Sequence, residues 1–307
     1  MNKKLGMLGA MTGTCIFGFS FMFSRIALGV ASPYVMLMYR FVLAFVTLNI
    51  LLGVLRLAGV DHSKDEQVHW LRFSLRGKNL LPLVVLGLVQ PVIYFLCESY
   101  GISLTNSTFS GVIIALSPIV GLALGALFLR EYPTRAQVWF SFLSIAGVIA
   151  ITLRQTSEGV VQPLGVMLLV MAVLSGTSYN LLSRKASHFS ALEQTWVMMF
   201  IAALCFTGLA VWDCRSDLSL LFAPLSSLPF MASVLYLSVF SSNIAFMSLN
   251  YANSVLPVAR VTSFCNLTTV ISVFAGVIFL HEPFGWVSLL ASVVIIIGVW
   301  GVQRKAQ

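Results

Sequence analysis

The sequence predicts an all-α integral membrane protein of ten transmembrane helices, arranged as two inverted five-helix repeats. Three observations lead there. Of 307 residues, 59% are hydrophobic and 9% are charged, against roughly 25% charged in soluble chains. The apolar residues gather into runs of about 20, the length of a helix that crosses the hydrocarbon core of a bilayer. The second half also repeats the first at a nearly fixed offset, with span falling on span.

Read in order with a window of about 19 residues, the spans fall at 5–28, 33–55, 80–102, 106–129, 135–153, 163–184, 190–212, 228–250, 255–279 and 285–303. Span 1 follows Lys3 and Lys4, but no short apolar core with a small-residue cleavage site follows, so it reads as a span and not a signal peptide. Pro33, Pro133, Pro163 and Pro283 stand beside span starts, where a missing N–H costs nothing. Pro91, Pro118 and Pro257 fall inside spans and should kink them, freeing carbonyls that protein or water must satisfy. Gly9 with Gly13, and Gly121 with Gly125, have the four-residue spacing that lets membrane helices approach closely. The 57–79 loop carries Val68, Trp70, Leu71, Phe73 and Leu75 among basic residues; it reads as a short interfacial helix or as a plain solvated loop.

With the N-terminus inside, Lys3, Lys4, Arg56, Lys64, Arg72, Arg76, Lys78, Arg130, Arg135, Arg184, Lys185, Arg304 and Lys305 fall on the cytoplasmic side, against Arg25, Arg154 and Arg215 outside. This bias puts both termini in the cytoplasm. It also disposes of nucleic acid as a partner, because the net charge of +8 is spread over several short loops. Cys15, Cys97, Cys205, Cys214 and Cys265 are scattered, so neither a disulfide framework nor a metal site is expected.

An offset of 151 pairs Tyr100 with Tyr251, Ser103 with Ser254, Leu116 with Leu267, Gly125 with Gly276, Glu131 with Glu282, Ser141 with Ser292 and Gly147-Val148 with Gly298-Val299. Earlier in each half the offset is 159, pairing Gly6 with Gly165, Ser24-Arg25-Ile26-Ala27 with Ser183-Arg184-Lys185-Ala186, and Phe41 with Phe200. The halves are then 1–155 and 156–307. Five spans is an odd number, so a second copy inserts upside down, the plan from which many carriers build a midplane site.

The chain resembles the drug/metabolite transporter superfamily, in its form with two EamA-type domains. The resemblance covers nearly the whole chain and rests on the two sets of five spans, Phe17-Gly18-Phe19-Ser20 with Arg25, Tyr39-Arg40, Ser117-Pro118, and the Leu-x-Glu at Leu129–Glu131 and Leu280–Glu282. It departs at Phe17, where the family often has Trp, and at Thr269, where the repeat mate has Pro118. It implies a carrier in the bacterial inner membrane, often an exporter of amino acids or related metabolites.

Ionisable groups inside spans are functional candidates because inserting them costs at least about 2.5 kcal/mol. Arg25, Arg184 and Arg260 lie close enough to helix ends to snorkel. Arg40, about 10 Å down span 2, is the deepest charge. Span 3 aligns Gln90, Tyr94 and Glu98 at i, i+4 and i+8 on one stripe. Arg40 and Glu98 read as a fixed ion pair between spans, as a substrate carboxylate site with an ammonium or proton site, or as lipid-facing snorkelling. Further candidates are Tyr179 and Asn180 in span 6, near Gly176 and Ser183, then Asn243 with Met247 in span 8, and Asn266 with Thr262 and Thr269 in span 9. Membrane asparagines serve as ligands or as interhelical glue. Glu131 and Glu282, ending spans 4 and 9, are expected at opposite lips. Each would cap the start of the next helix or pair with a basic neighbour.

No phosphate loop or zinc-protease motif is present, and His62, His69, His188 and His281 fall at loops or span ends, so an enzyme or ATP-driven pump is not expected, and no cofactor is implied. The expected function is a secondary-active or facilitative carrier of a small metabolite, an amino acid or related carboxylate, working by alternating access, with export implied by the resemblance. The alternatives are a multidrug or amphiphilic-cation exporter, a lipid flippase and a non-transporting membrane scaffold. The expected partners are the substrate and membrane lipids, with the chain a monomer.

Overall fold

A computed structural model describes residues 3–57, 73–75, 77–124, 127, 134–157, 161–256, 261, 264–282 and 284–304. In order, the helices are α1 (Lys3–Leu28), α2 (Pro33–Leu57), α3 (Leu81–Gly87), α4 (Tyr94–Ser103), α5 (Ser107–Ile114), α6 (Ser117–Leu124) and α7 (Arg135–Ser157). There follow α8 (Pro163–Lys185), α9 (Ala191–Asp213), α10 (Ser219–Phe222), α11 (Leu228–Leu235), α12 (Phe246–Val255), α13 (Cys265–Phe279) and α14 (Trp286–Arg304). Seven helical stretches are long and apolar enough to cross a membrane, and three shorter apolar helices lie within α7, α13 and α14. We call the end of the bundle that holds Lys3 the near end, and the end that holds Leu28 the far end.

Local chemistry explains most of the boundaries. Pro33 and Pro163 open α2 and α8. The hydroxyl of Ser190 and the carboxylate of Glu193 close a reciprocal cap at the start of α9. Glu193 also accepts from Ser74 N at 2.8 Å and pairs with Lys78 at 2.7 Å. Phe73 and Leu75 pack on the core beside this cap; the rest of the expected interfacial helix lies outside the described residues.

Two of the three interior prolines can be followed. Before Pro91, Gln90 leaves the helix at φ −143°, ψ 120°, the extended conformation that a residue preceding proline favours. The α3–α4 stretch thus passes through a wide-turned segment, Leu88–Ile93, and the hydroxyl of Ser175 takes up the carbonyl of Val89 at 2.6 Å. At Pro118 the stretch splits into α5 and α6 across a turn at residues 115–116. Pro257 is outside the described residues. A second wide-turned segment, Tyr236–Ala245, joins α11 to α12 without any proline.

The most extensive contacts pair α7 with α14, α2 with α9, α1 with α13, and α4 with α8. Gly9 and Gly13 face the backbone carbonyls of Ser248 and Ala245 on the α12 side, so α1 lies directly against that stretch. Gly121 meets only Thr177, at ordinary contact distance. The main core gathers Met36, Phe41, Phe95, Phe206, Phe230 and Phe246.

Several contacts recur between residues 151 or 159 apart. A Cβ on Gly147 would meet Ile295 at 2.8 Å, and one on Gly298 would meet Ser144; Ser144 Oγ donates to Ile295 O at 3.0 Å. Arg25 Nη1 donates to Ile102 O at 2.9 Å and to Ser103 O at the far end of α4. Arg184 Nη1 donates to Asn253 O at 3.2 Å and to Leu256 O at the near end of α12. Both arginines therefore satisfy the orphan carbonyls of a helix C-terminus, where a cation is favoured by about 0.3–1 kcal/mol. This differs from simple snorkelling.

Candidate functional site

The second wide-turned segment, Tyr236–Ala245, meets α4 around Arg40. Its side chain is fully buried. Nε donates to Ser242 Oγ at 2.9 Å and Nη2 to Ser241 Oγ at 2.8 Å, both from Tyr236–Ala245. The guanidinium carbon lies 3.9 Å from the centroid of the Phe95 ring. Nη1 has no hydrogen-bond partner among the described residues.

The expected fixed ion pair is absent. Among the described residues, the ion pair within 4.0 Å is Lys78–Glu193, and Glu98 instead accepts from Tyr94 Oη at 2.9 Å through Oε1. Burying a cation costs several kcal/mol even after relaxation. Two hydrogen bonds to a charged group, at about 1.5–3 kcal/mol each, and a desolvated cation–π contact of about 2 kcal/mol offset much of that. What remains is a guanidinium with Nη1 unpartnered and, among the described residues, no carboxylate on it, an arrangement that can take an anion.

The three span 3 candidates do not share one regular helical stripe: Gln90 lies in the wide-turned segment with extended backbone, while Tyr94 and Glu98 stand on α4. Gln90 is buried with Oε1 unpartnered among the described residues, and Tyr94 lies over Gly176 of α8, where a Cβ would come within 3.0 Å of its ring. Phe95 and Phe246, 151 residues apart, meet edge to face at 6.0 Å between ring centroids. Tyr94, Phe95 and Glu98 thus place a hydroxyl, a ring face and a carboxylate on α4, beside the guanidinium from α2.

The other predicted residues disperse. Tyr179 donates to Asn250 Oδ1 at 2.6 Å, and the same oxygen accepts from Ser183 at 2.9 Å. Asn250 in turn donates to Thr195 at 3.0 Å. This buried network ties α8, α9 and α12 together, so Tyr179 acts as interhelical glue. Asn180 accepts from Asn253 Nδ2 at 3.2 Å. Asn243 Nδ2 holds Ala44 O at 3.0 Å and Thr47 Oγ1 at 2.9 Å, and Asn243 lines a side groove of about 520 Å³ with Leu8, Thr12, Leu51 and Tyr251. The side chain of Asn266, and Glu131 altogether, lie outside the described residues.

Glu282 requires a correction. It does not cap the helix that follows it. Its Oε1 accepts from Ser107 N and Ser107 Oγ, both at 2.9 Å, and its Oε2 from Thr108 N at 2.8 Å, at the start of α5. Beside it is a far-end cavity of about 420 Å³, lined by Arg25, Thr105, Asn106, His281 and Glu282 among others.

Sequence reasoning missed Ser241, Ser242, Phe95 and Asn250. For the two serines a signal existed: Ser241-Ser242-Asn243 is three polar residues in a row inside an apolar run, of which only the asparagine was read as a candidate.

Comparison with known proteins gives a consistent picture. A model of the EamA-like transporter family matches residues 4–153 and again 163–304. The chain is similar to an uncharacterized transporter, YcxC, of Bacillus subtilis (strain 168), with 30% identity over 300 residues covering 96% of this chain and 91% of the relative. An uncharacterized transporter of Archaeoglobus fulgidus is 23% identical over 300 residues, covering 96% of this chain and 97% of its own length. A solved structure titled only "Crystal structure of protein" superposes with a TM-score of 0.67 at 18% identity, covering 100% of this chain and 99% of the other. That likeness concerns the fold alone.

Proposed function

The chain belongs to the EamA-like transporter family, and on that premise we propose that this multi-pass membrane protein is a secondary-active or facilitative carrier whose substrate presents a carboxylate to Arg40. The substrate class is an amino acid or related carboxylate metabolite, moved by alternating access across the bacterial inner membrane, with export the working direction. Both termini then lie in the cytoplasm. The architecture is ten spans in two inverted five-helix halves, 1–155 and 156–307. The paired carbonyl caps of Arg25 and Arg184 and the reciprocal Gly147 and Gly298 contacts support it.

One observation carries the substrate class: among the described residues, the buried guanidinium of Arg40 has an unpartnered Nη1 and no ion-pair partner. A carboxylate that forks onto the Nη1–Nη2 edge gains two parallel charge-assisted bonds. Nη2 carries a second N–H beside the one Ser241 accepts, so the fork can form with both serine bonds kept. The Glu98 carboxylate beside this site suits an ammonium, which makes the pair complementary to a zwitterion.

The test is counterflow of radiolabelled amino acids in proteoliposomes. Saturable uptake is expected, and Arg40→Gln is expected to lower it by about tenfold or more, the value of one lost hydrogen bond to a charged group. Absence of saturable flux for every carboxylate tried would overturn the reading. A second reading, export of an amphiphilic cation, draws on Glu98 and the Phe95 ring; it predicts flux that survives Arg40→Gln and fails in Glu98→Gln.

A further inference from the structure

Glu282 closes the far end of the bundle by a bond that nothing in a permanent helix cap requires. Its carboxylate comes from the loop after α13 and reaches the start of α5, 175 residues away in sequence, with three hydrogen bonds of 2.8–2.9 Å. Those donors are already arranged as a seat for an anion. Asn106 caps α5 with its own side chain, accepting from Phe109 N at 2.7 Å, so Glu282 is a second and separate acceptor at the same terminus.

Three features hold the carboxylate there. Gly276 stands where a Cβ would lie 2.1 Å from Thr108 Oγ1 and 2.6 Å from Glu282 Oε2, so the close approach of α13 to α5 exists only without a side chain at that position. His281 adopts φ 51°, a left-handed turn that is uncommon for a residue other than glycine. Glu282 N donates to Gly276 O at 3.1 Å, folding the loop back over the helix it leaves. The bond forms the wall of the 420 Å³ far-end cavity. Asn106 lines that cavity too, only 4% exposed, and its Nδ2 has no partner among the described residues.

We propose that Glu282 is a releasable latch: its bond to Ser107 and Thr108 joins the two halves at the far end and breaks each time the site between them opens to that side. The proposal rests on the carrier reading. A carboxylate is suited to this work because its bonds to backbone N–H groups are strong when dry and readily exchanged for water when the seat hydrates. The left-handed turn at His281 is the point about which the carboxylate would swing, since unusual backbone conformations gather at switching segments.

The experiment needs no substrate, so it can fail independently of the flux assay. In a chain whose five cysteines are replaced by serine, Ser110→Cys serves as reporter; Ser110 is fully buried one turn deeper than Asn106. Its rate of reaction with a membrane-impermeant maleimide added at the far side is measured in proteoliposomes. Glu282→Ala is expected to raise the rate about tenfold or more, Glu282→Gln to raise it less, and Gly276→Ala to behave like Glu282→Ala. An unchanged rate in folded Glu282→Ala and Glu282→Gln, with only a lower melting temperature, would reduce Glu282 to a structural cap and overturn the proposal. Should those variants not fold, Glu282 is kept and its seat is altered instead: Ser107→Ala removes the hydroxyl bond to Glu282 Oε1. The same labelling rate is expected to rise in that variant, and an unchanged rate in folded Ser107→Ala would equally overturn the latch.

Discussion

In the proposed site, Arg40 and Glu98 divide the chemistry between them. The guanidinium offers a donor and the carboxylate an acceptor, and because they are not bonded to each other each is open to a ligand group. The consequence is testable with one pair of substrates. Glu98→Gln is expected to weaken transport of an amino acid by about tenfold while sparing its deaminated carboxylate analogue, whereas Arg40→Gln weakens both; competition counterflow reads the difference. Depth singled out Arg40 from the sequence, because an ionisable group about ten ångströms into a span needs a reason, and the spacing with Gln90 and Tyr94 singled out Glu98. Their separation was not legible. Partner choice depends on which faces α2, α4 and the Tyr236–Ala245 segment turn to one another, and periodicity does not fix how two helices rotate. The same limit explains Glu282, whose acceptors went to a helix distant in sequence instead of the adjacent one.

Among the elements, the regular helices follow from apolar length and from proline and serine at their starts, and the bounds of α1, α2, α7, α8, α9 and α14 fall within a few residues of the sequence reading, whereas α13 begins only at Cys265. The wide-turned segments divide into one legible case and one illegible case. Pro91 announces Leu88–Ile93, but Tyr236–Ala245 contains neither proline nor glycine. It becomes visible only at the offset of 151, which carries residues 88–93 onto 239–244. Wide turns inside helices are frequent at functional sites, and interrupted helices in matching positions of two halves point to a binding site. The α7–α14 pair is the opposite kind of element, regular and remote from Arg40. Gly298→Val is expected to destabilise the protein by about 1–3 kcal/mol, because its Cβ would lie 2.7 Å from the carbonyl of Phe140, a backbone atom that cannot rotate aside. Melting in detergent checks the loss, and counterflow per folded molecule should be unchanged.

For the whole molecule, the distribution of charge makes the strongest prediction. Ser187 and Ser216 are both exposed, in turns at opposite ends of the bundle. In a cysteine-free chain, Ser216→Cys is expected to react with an impermeant maleimide in intact cells, and Ser187→Cys only after the membrane is opened; the reverse pattern would invert the orientation inferred from the basic loops. The all-helical membrane class was legible because composition excludes soluble packing. The repeat was legible in outline because paired charges and glycines, such as Arg25 with Arg184 and Gly147 with Gly298, are sparse enough in an apolar chain to keep register. The meeting of the halves around Arg40 was not, since it rests on three-dimensional packing with no sequence period. One consequence reaches beyond the single molecule. Among the described residues α7 packs almost wholly on α14, and Ser144 touches Ile295, its own counterpart 151 residues away. A change in the seam they share is therefore answered first on the other helix. Across descendants of this chain the two helices should drift as a couple, each substitution drawing a compensating one from its mate while the transport machinery stays as it was.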